Sequence, residues 1–342
     1  MKKYNKEQVI KELKTLLICY KDSKNKDNLL SLIRLITNKL ENYEDVFFTS
    51  YEIEKYLFIN NKDKTKSIDN NVFNFFKNIE TDMKDVSFDN VIIKGYNFSK
   101  FINVKINIDK IPNKDLSKTT LKNVWLTGSL DNCNISYANF KDYKGNLVLN
   151  PTKVISMEGS ILEGLTIESN FKDVDISNVN FENTLNIVML NPQEVKNKKL
   201  HGVDLSGVML IGPYNETLQK YEDPNFDGCY IYNTSFKDAK GNIVINLDTL
   251  KDFMIGKLYG CDLTNVKVIG TVKRMKDEKD GAIYGDDLAN SYYIDENGYK
   301  VVIYPDRLVR WNKKTCFYET LSKEQAPLLD FDVTYNEKKN RI

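Results

Sequence analysis

The sequence is poor in the residues from which most metal and nucleophile sites are built. Its 342 residues include one histidine, His201, and five widely spaced cysteines that form no Cys-x-x-Cys pair. This composition argues against a multi-histidine metal site, a zinc ribbon and a disulfide framework. The sequence also lacks a glycine-rich dinucleotide loop, a Walker A loop and an EF-hand loop. We therefore expect no metal, no cofactor and no catalytic residues.

An excess of charge of either sign is also missing. Lys plus Arg number 49 and Asp plus Glu number 48, which gives a formal net charge of +1. Basic and acidic residues number 15 and 13 in residues 1–83, 25 and 25 in residues 84–280, and 9 and 10 in residues 281–342. A wholly basic nucleic-acid-binding surface is therefore not expected, and neither is an acidic rod that imitates DNA.

Long apolar runs are absent as well. No window approaches the length of apolar sequence that a membrane span needs, and charged residues interrupt the first twenty positions. We therefore expect no membrane segment and no signal peptide, and we predict a cytoplasmic protein. The frequent use of Lys, Asn, Ile and Tyr is typical of an AT-rich bacterial genome.

Residues 1–83 show the apolar spacing of α-helices. The clearest stripe, with spacings of three and four residues, consists of Val9, Ile10, Leu13, Leu16, Leu17 and Tyr20. Further apolar segments lie at 29–40, from 53, and at 72–79. The pattern predicts an α-helical module. Its stripes either pack against each other as a small bundle or form a surface that dimerises or binds a partner.

From about residue 84 the apolar pattern changes to a period of five. Each unit reads as a small residue, Asp or Asn, a large apolar residue, a polar residue, and Gly, Asn or Asp. The strongest units are ANFKD (138–142), VDISN (174–178), VNFEN (179–183), VDLSG (203–207) and CDLTN (261–265). More than a dozen such units in register make this region an internal repeat.

The repeat resembles the motif A-(D/N)-L-x-x of the pentapeptide-repeat family over roughly residues 85–270. The resemblance implies a right-handed, four-sided β-helix with one pentapeptide on each side. The central residue and the small residue two positions before it then point inward, and coils must stack because one coil cannot bury its own apolar side. The predicted fold is mainly β: a β-helix over 84–280, preceded by the helical module 1–83.

The remaining residues, 281–342, lose the period. An Asn-Gly pair at 297–298 lies between strand-forming residues and predicts a β-hairpin. We interpret this region as a β-rich cap with a C-terminal tail. A longer repeat within the period-five region contains Asn150–Pro151 and Asn191–Pro192, which fit a helix N-cap followed by proline.

Internal comparison of the repeats assigns a structural role to the chemically distinctive residues. His201 aligns with Lys122, Glu158 and Tyr259, so this outward position tolerates unrelated side chains. The aligned cysteines fall at small inward positions and are expected to behave as small apolar residues. These are Cys133, Cys229 and Cys261.

Two departures from the repeat are the candidate binding features, since loops on rigid scaffolds often carry function. One is the insertion 213–223, and the other is a charged loop at 271–281. Each follows a matched block, 208–212 or 266–270, so we expect them on one side of the rod. The candidate partner surface consists of Tyr214, Tyr221, Lys273, Arg274 and Lys276.

Three functions remain open from the sequence. The favoured one is a non-catalytic scaffold for protein–protein interaction in a bacterial cytoplasm, with an unidentified protein partner or a second copy of the chain as a homodimer. The second is a DNA mimic that modulates a type II topoisomerase, an activity that the family resemblance brings into consideration. The third is an enzyme or toxin whose active part lies in residues 1–82 or 281–342.

Overall fold

A computed structural model describes residues 58–60, 66–68, 81–84, 86–253, 256–276, 283–304, 307–312, 317–321 and 329–337. The chain is mainly β and divides into two compact units, residues 1–148 and 149–342. The helices within the described ranges are single 3-10 turns at Ile108–Lys110, Pro112–Lys114, Pro151–Lys153 and Lys196–Lys198. None of them has the length or apolar character of a membrane span.

Most strands are only two or three residues long. The strands of unit 1 are β1 (Phe58–Asn60), β2 (Lys66–Ile68), β3 (Thr81–Asp82), β4 (Val91–Ile92), β5 (Phe101–Ile102), β6 (Lys105–Asn107) and β7 (Trp125–Thr127). Strand β8 is Val148–Leu149. Those that follow are β9 (Thr166–Ile167), β10 (Met189–Leu190), β11 (Met209–Leu210), β12 (Tyr214–Asn215), β13 (Lys220–Tyr221), β14 (Val244–Asn246), β15 (Lys267–Lys276), β16 (Ile283–Asp286), β17 (Tyr292–Ile294), β18 (Lys300–Tyr304), β19 (Arg307–Asn312), β20 (Phe317–Leu321) and β21 (Leu329–Glu337).

Within each unit, successive segments of the chain pair in parallel and form columns of backbone bridges. In unit 1, Asn97 pairs with Thr120, which pairs with Asn139. The column in unit 2 runs through Ile161, Asn180, Asp204, Ser235, Asp262 and Tyr292. A second column in unit 2 runs through Met189, Met209 and Lys240. The segments between bridges differ in length, so the chain absorbs insertions outside these columns.

Several five-residue units contain the same local turn geometry. The carboxylate of Asp204 accepts a hydrogen bond from the backbone N–H of Ser206 at 3.0 Å, and Gly207 has a φ of 79°. The unit at Asp262 repeats both features, with Asn265 at a φ of 61°. Asp and Asn make such turns readily, and Gly, Asn and Asp tolerate the left-handed backbone that ends them. The second and fifth motif positions are therefore explained by the turn.

The predicted core positions are buried. In the unit 203–207, Val203 and Leu205 are fully buried, and in the unit 138–142 so are Ala138 and Phe140. The largest fully buried side chains are Phe98, Phe101, Phe140, Phe181, Phe236, Met83 and Ile93. The period-five pattern therefore predicts most of the apolar interior, with exceptions such as the half-buried Val174, and this burial supplies the main favourable free energy of folding.

In the described part of the predicted N-terminal helical module the residues form strands, whereas the β-hairpin predicted near the C-terminus is present. The expected helical stripes at 1–57 and 69–80 lie outside the described residues. The described residues of the predicted helical module instead include β1, β2 and β3. Strands β1 and β2 pair antiparallel, β2 pairs in parallel with β4, and β3 pairs in parallel with β5. At the other end, β17 and β18 form the predicted hairpin around Gly298, and β19 and β20 extend it.

One predicted loop is largely a strand. The charged segment expected as a loop at 271–281 continues β15 as far as Lys276, and residues 277–282 lie outside the described ranges. The prediction is wrong for 271–276 because β15 is paired on both sides, with β21 in parallel and with β16 antiparallel. The backbone of this segment therefore pairs with β16, which follows closely in the sequence, and with β21, about sixty residues further along.

Candidate functional site

The insertion 213–223 folds as a β-hairpin. Tyr214 and Tyr221 are Cα partners across β12 and β13, and their rings meet edge to face with centroids 5.1 Å apart. At the turn, the side-chain oxygen of Asn215 accepts a hydrogen bond from the N–H of Leu218 at 3.0 Å. Such aromatic cross-strand pairs and side-chain-to-backbone turn bonds stabilise short hairpins. The insertion is thus an ordered structure.

Hydrogen bonds close the base of the hairpin and join it to one neighbouring segment of unit 2. The N–H of Gly212 donates to the carbonyl of Glu222 at 2.8 Å, and the N–H of Glu222 donates to the carbonyl of Pro213 at 3.0 Å. The side-chain amide of Asn242 donates to Asp223 at 2.9 Å. A Cβ on Gly212 would collide with the carbonyl of Asp223, so a glycine is required for the hairpin to leave the stack here.

A cavity of about 470 Å³ lies between this hairpin and the surface of the stack. We call it the hairpin groove. Its apolar lining consists of Ile187, Met189, Met209, Ile211 and Tyr221, and the buried core residue Leu210 also borders it. Along β10 and β11, Leu190 and Leu210 face the interior, whereas Met189 and Met209 are half-buried and face the groove. The alternation of a strand thus separates core residues from groove residues.

A glycine keeps one side of the groove floor free of side chains. Gly241 follows Lys240, which bridges to Met209, and has a φ of 118°. A Cβ at this position would lie 2.6 Å from the carbonyl oxygen of Leu210. Close approach of two backbones therefore requires glycine here, and the same residue leaves the floor open.

The rim of the groove carries acidic side chains. Glu222 and Asp223 line it and are exposed. Glu222 accepts a hydrogen bond from the side-chain amide of Asn215 at 3.0 Å, which fixes its position without neutralising it. Among the residues that the structure describes, neither carboxylate has a salt-bridge partner.

A second cavity of about 380 Å³ adjoins the hairpin groove through Ile187, which lines both. This cavity is more polar, and its charged lining residues are Glu182, Asp238 and Lys240. The two cavities together contain four carboxylates and one ammonium group among their lining residues. The combined surface is therefore apolar at its centre and acidic around it.

The exposed apolar residues of unit 2 concentrate around this surface. Leu185, Ile187, Tyr214, Leu218 and Tyr221 are each about half exposed or more. Contiguous exposed apolar surface with a polar rim is typical of interaction sites, whereas a single exposed apolar side chain needs no explanation.

The residues of the predicted partner surface lie on two elements, the hairpin β12–β13 and strand β15. Tyr214 and Tyr221 are brought together on the hairpin. Lys273, Arg274 and Lys276 lie on β15, where Lys273 is exposed and its backbone N–H donates to Asp287 at 2.9 Å. Sequence reasoning missed Ile187, Met189 and Met209, which come from regular repeat segments. Their signal was present in part, since Ile187 and Met209 are large apolar residues at positions where the repeat predicts exposure.

His201 differs from its predicted role as a solvent-facing residue. It is half-buried, and its ring stacks on Tyr232 with centroids 4.9 Å apart; Tyr232 stacks in turn on Phe253 at 3.7 Å. Burial, with a further contribution from the positive charge of Lys199, lowers the pKa of His201. The neighbouring segments supply the two other rings, so an alignment of single positions could not show this stack.

The three aligned cysteines have the predicted structural role. Cys133, Cys229 and Cys261 are buried free thiols, and burial raises the pKa of each to about 12. A nucleophilic or metal-binding cysteine needs the thiolate, which these environments disfavour. In the part of the chain that the structure describes, no cluster of three His, Cys, Asp or Glu side chains could hold a metal ion.

Comparison of the sequence with protein-family models finds no match. Comparison with curated proteins finds no match either.

Proposed function

We propose that this chain is a non-catalytic scaffold for protein–protein interaction in a bacterial cytoplasm, built on a right-handed pentapeptide-repeat β-helix. The β-helix is supported by the columns of parallel bridges, by the paired inward positions of units such as 203–207 and 138–142, and by the recurring turn geometry at Asp204 and Asp262. These are the features that the repeat motif requires of a stacked solenoid.

The observation that carries the scaffold function is the hairpin groove. A hairpin held by backbone and side-chain hydrogen bonds presents Tyr221 to an apolar cavity whose other walls are regular strands. Preorganised surfaces bind with a smaller entropic cost, and tyrosine is enriched among residues that dominate interface energies. The positively charged residues of β15 belong to the proposal as a second contact region.

Site-specific photo-cross-linking tests this function in the host cell. A photoreactive phenylalanine analogue replaces Tyr221 in the full chain, and cross-linked products are identified by mass spectrometry. We expect one recurrent protein partner. The matched control carries the same analogue at Ile155, which is 67% exposed in the same unit but is not among the lining residues of the groove.

Exchange of the hairpin tip provides the second arm of the test. A short Gly-Ser turn replaces residues 214–221. The base is kept because Gly212 bonds to Glu222 across it and Asp223 accepts a hydrogen bond from Asn242 of a neighbouring segment. We expect a folded protein, by far-UV circular dichroism, that no longer retains the partner. Equal cross-linking at Tyr221 and Ile155, or full retention without the tip, would contradict the proposal.

A further inference from the structure

We infer that the hairpin groove binds a basic amphipathic helix of a protein partner. This inference rests on the proposed function and adds the chemical class of the bound segment. Its basis is the combination of a floor with satisfied backbone groups, a methionine-rich apolar lining and an acidic rim whose carboxylates form no salt bridge with a described residue.

The floor of the groove leaves little for a partner's backbone to pair with. The N–H of Met209 donates to the carbonyl of Val188 at 2.8 Å, and that of Ile211 donates to the carbonyl of Leu190 at 3.0 Å. The N–H of Leu210 donates to Lys240 at 2.8 Å. An extended peptide gains its affinity by adding backbone hydrogen bonds to a free strand edge. A segment on this floor must bind through its side chains, as a helix does when its apolar face enters a groove.

The lining suits several large apolar side chains. Met189 and Met209 lie side by side on paired strands, and unbranched methionine side chains adapt to apolar partners of different shape. Ile187 and Tyr221 are 53% and 46% exposed, so covering them removes apolar surface from water. Ile187 also continues the lining into the second cavity, which makes the surface longer than one anchor residue requires.

The acidic side chains around the groove favour a positively charged partner segment. Glu222 and Asp223 lie on the hairpin side, and Glu182 and Asp238 lie in the adjoining cavity, against Lys240 alone. All four carboxylates are exposed, so bringing up an acidic segment costs electrostatic repulsion, whereas a Lys- or Arg-rich one is attracted. An amphipathic helix fits these observations, because its apolar face can cover the groove lining while basic side chains on its polar face meet the carboxylates.

Fluorescence anisotropy with labelled model peptides tests the inference on the purified full chain. The probe is an 18-residue helical peptide of leucine and lysine with one apolar face. Comparison peptides have glutamate in place of lysine, the same composition in scrambled order, and the same order broken by two prolines. We expect the basic helix to bind about tenfold more tightly than each comparison peptide. A few partly screened charge pairs and the contact of one apolar face can supply the free energy that corresponds to this difference in affinity.

Variants locate the binding on the protein. Glu222→Gln with Asp223→Asn keeps the hydrogen-bond acceptors and removes the rim charge, so affinity for the basic helix should fall severalfold and lose most of its salt dependence. Met209→Ser should weaken binding through loss of apolar contact. Ile155→Ser, an exposed apolar change outside the groove lining, should leave it unchanged.

The outcomes separate this inference from the proposed function. Equal or tighter binding of the glutamate peptide, or of the proline-broken peptide, overturns the inference even if cross-linking at Tyr221 finds a partner. Absence of binding by the basic helix overturns it as well. If cross-linking at Tyr221 also finds no partner, the proposed function fails with it.

Discussion

Replacing Leu205 by alanine tests the inward register of the repeat. Leu205 is the central residue of the unit 203–207 and is 0% exposed. Its N–H donates to the carbonyl of Ser235 and its carbonyl accepts from the N–H of Val208, so its backbone is fixed by the stack. The surrounding segments can therefore collapse only partly around the space that a truncated side chain leaves.

The magnitude follows from complete burial of the leucine. A buried Leu→Ala change costs about 2–5 kcal/mol, and limited collapse places Leu205→Ala in the upper half of that range. Domains are stable by about 5–15 kcal/mol, so the loss is a large fraction of the total. Leu205→Asp should prevent folding or cause aggregation, because an unpaired charge would be buried.

Urea unfolding followed by far-UV circular dichroism measures the effect. The midpoint should fall while the slope with denaturant stays constant, since the surface exposed on unfolding hardly changes. Leu185→Ala is the matched control because Leu185 is 62% exposed, and it should change stability by less than about 0.5 kcal/mol. If both alanine variants unfold at the same urea concentration, the assigned register is refuted.

Further expectations concern a glycine, an ion pair and a thiol. Gly202→Ala should destabilise by about 1–2 kcal/mol in urea unfolding, because φ is +70° and a Cβ would collide with the side-chain oxygen of Asn178; a wild-type midpoint would contradict this. The hydrogen bond from Lys114 at 2.7 Å lowers the pKa of Asp109, so its contribution is present above the unfolded pKa of about 3.9 and is lost as pH falls through the folded pKa. Asp109→Asn should therefore lower the urea midpoint at neutral pH and not in strong acid; a pH-independent difference would contradict the assignment. Cys261 should resist iodoacetamide at about pH 8 until the chain is denatured, as peptide mass mapping would show, and rapid native labelling would contradict its burial.

The buried side chains could be predicted because each five-residue unit specifies its own inward positions. Val203 and Leu205, or Val179 and Phe181, are placed inward by a spacing of two that recurs in most units, although Val174 is only half-buried. The turn within such a unit is equally local, but its backbone conformation was not predicted. Asn178 at a φ of 59° shows that the fifth position is selected for left-handed backbone, a property that an alternation of polar and apolar residues does not reveal.

Only those parts of the candidate site that lie within one segment of the sequence could be predicted. The insertion was recognisable because it interrupts the period, and its tyrosines are a sequence-visible pair. The groove itself needs Ile187, Met209 and Tyr221 from three segments, and their meeting depends on which segments stack. The strand character of Lys273 and Arg274 depends on pairing with β21, some sixty residues further along, which no local pattern encodes.

The column from Ile161 to Tyr292 has a consequence for how unit 2 comes apart. Each bridge joins only the preceding and following segments of the column, so an amide in its middle is released only after its neighbours on one side have separated. We therefore expect the bridges at the ends of the column to open first. The free energy of local opening should rise toward Asp204 and Ser235. Hydrogen exchange should accordingly be slowest there, and the hairpin groove, built on segments next to that centre, is placed where the stack fluctuates least.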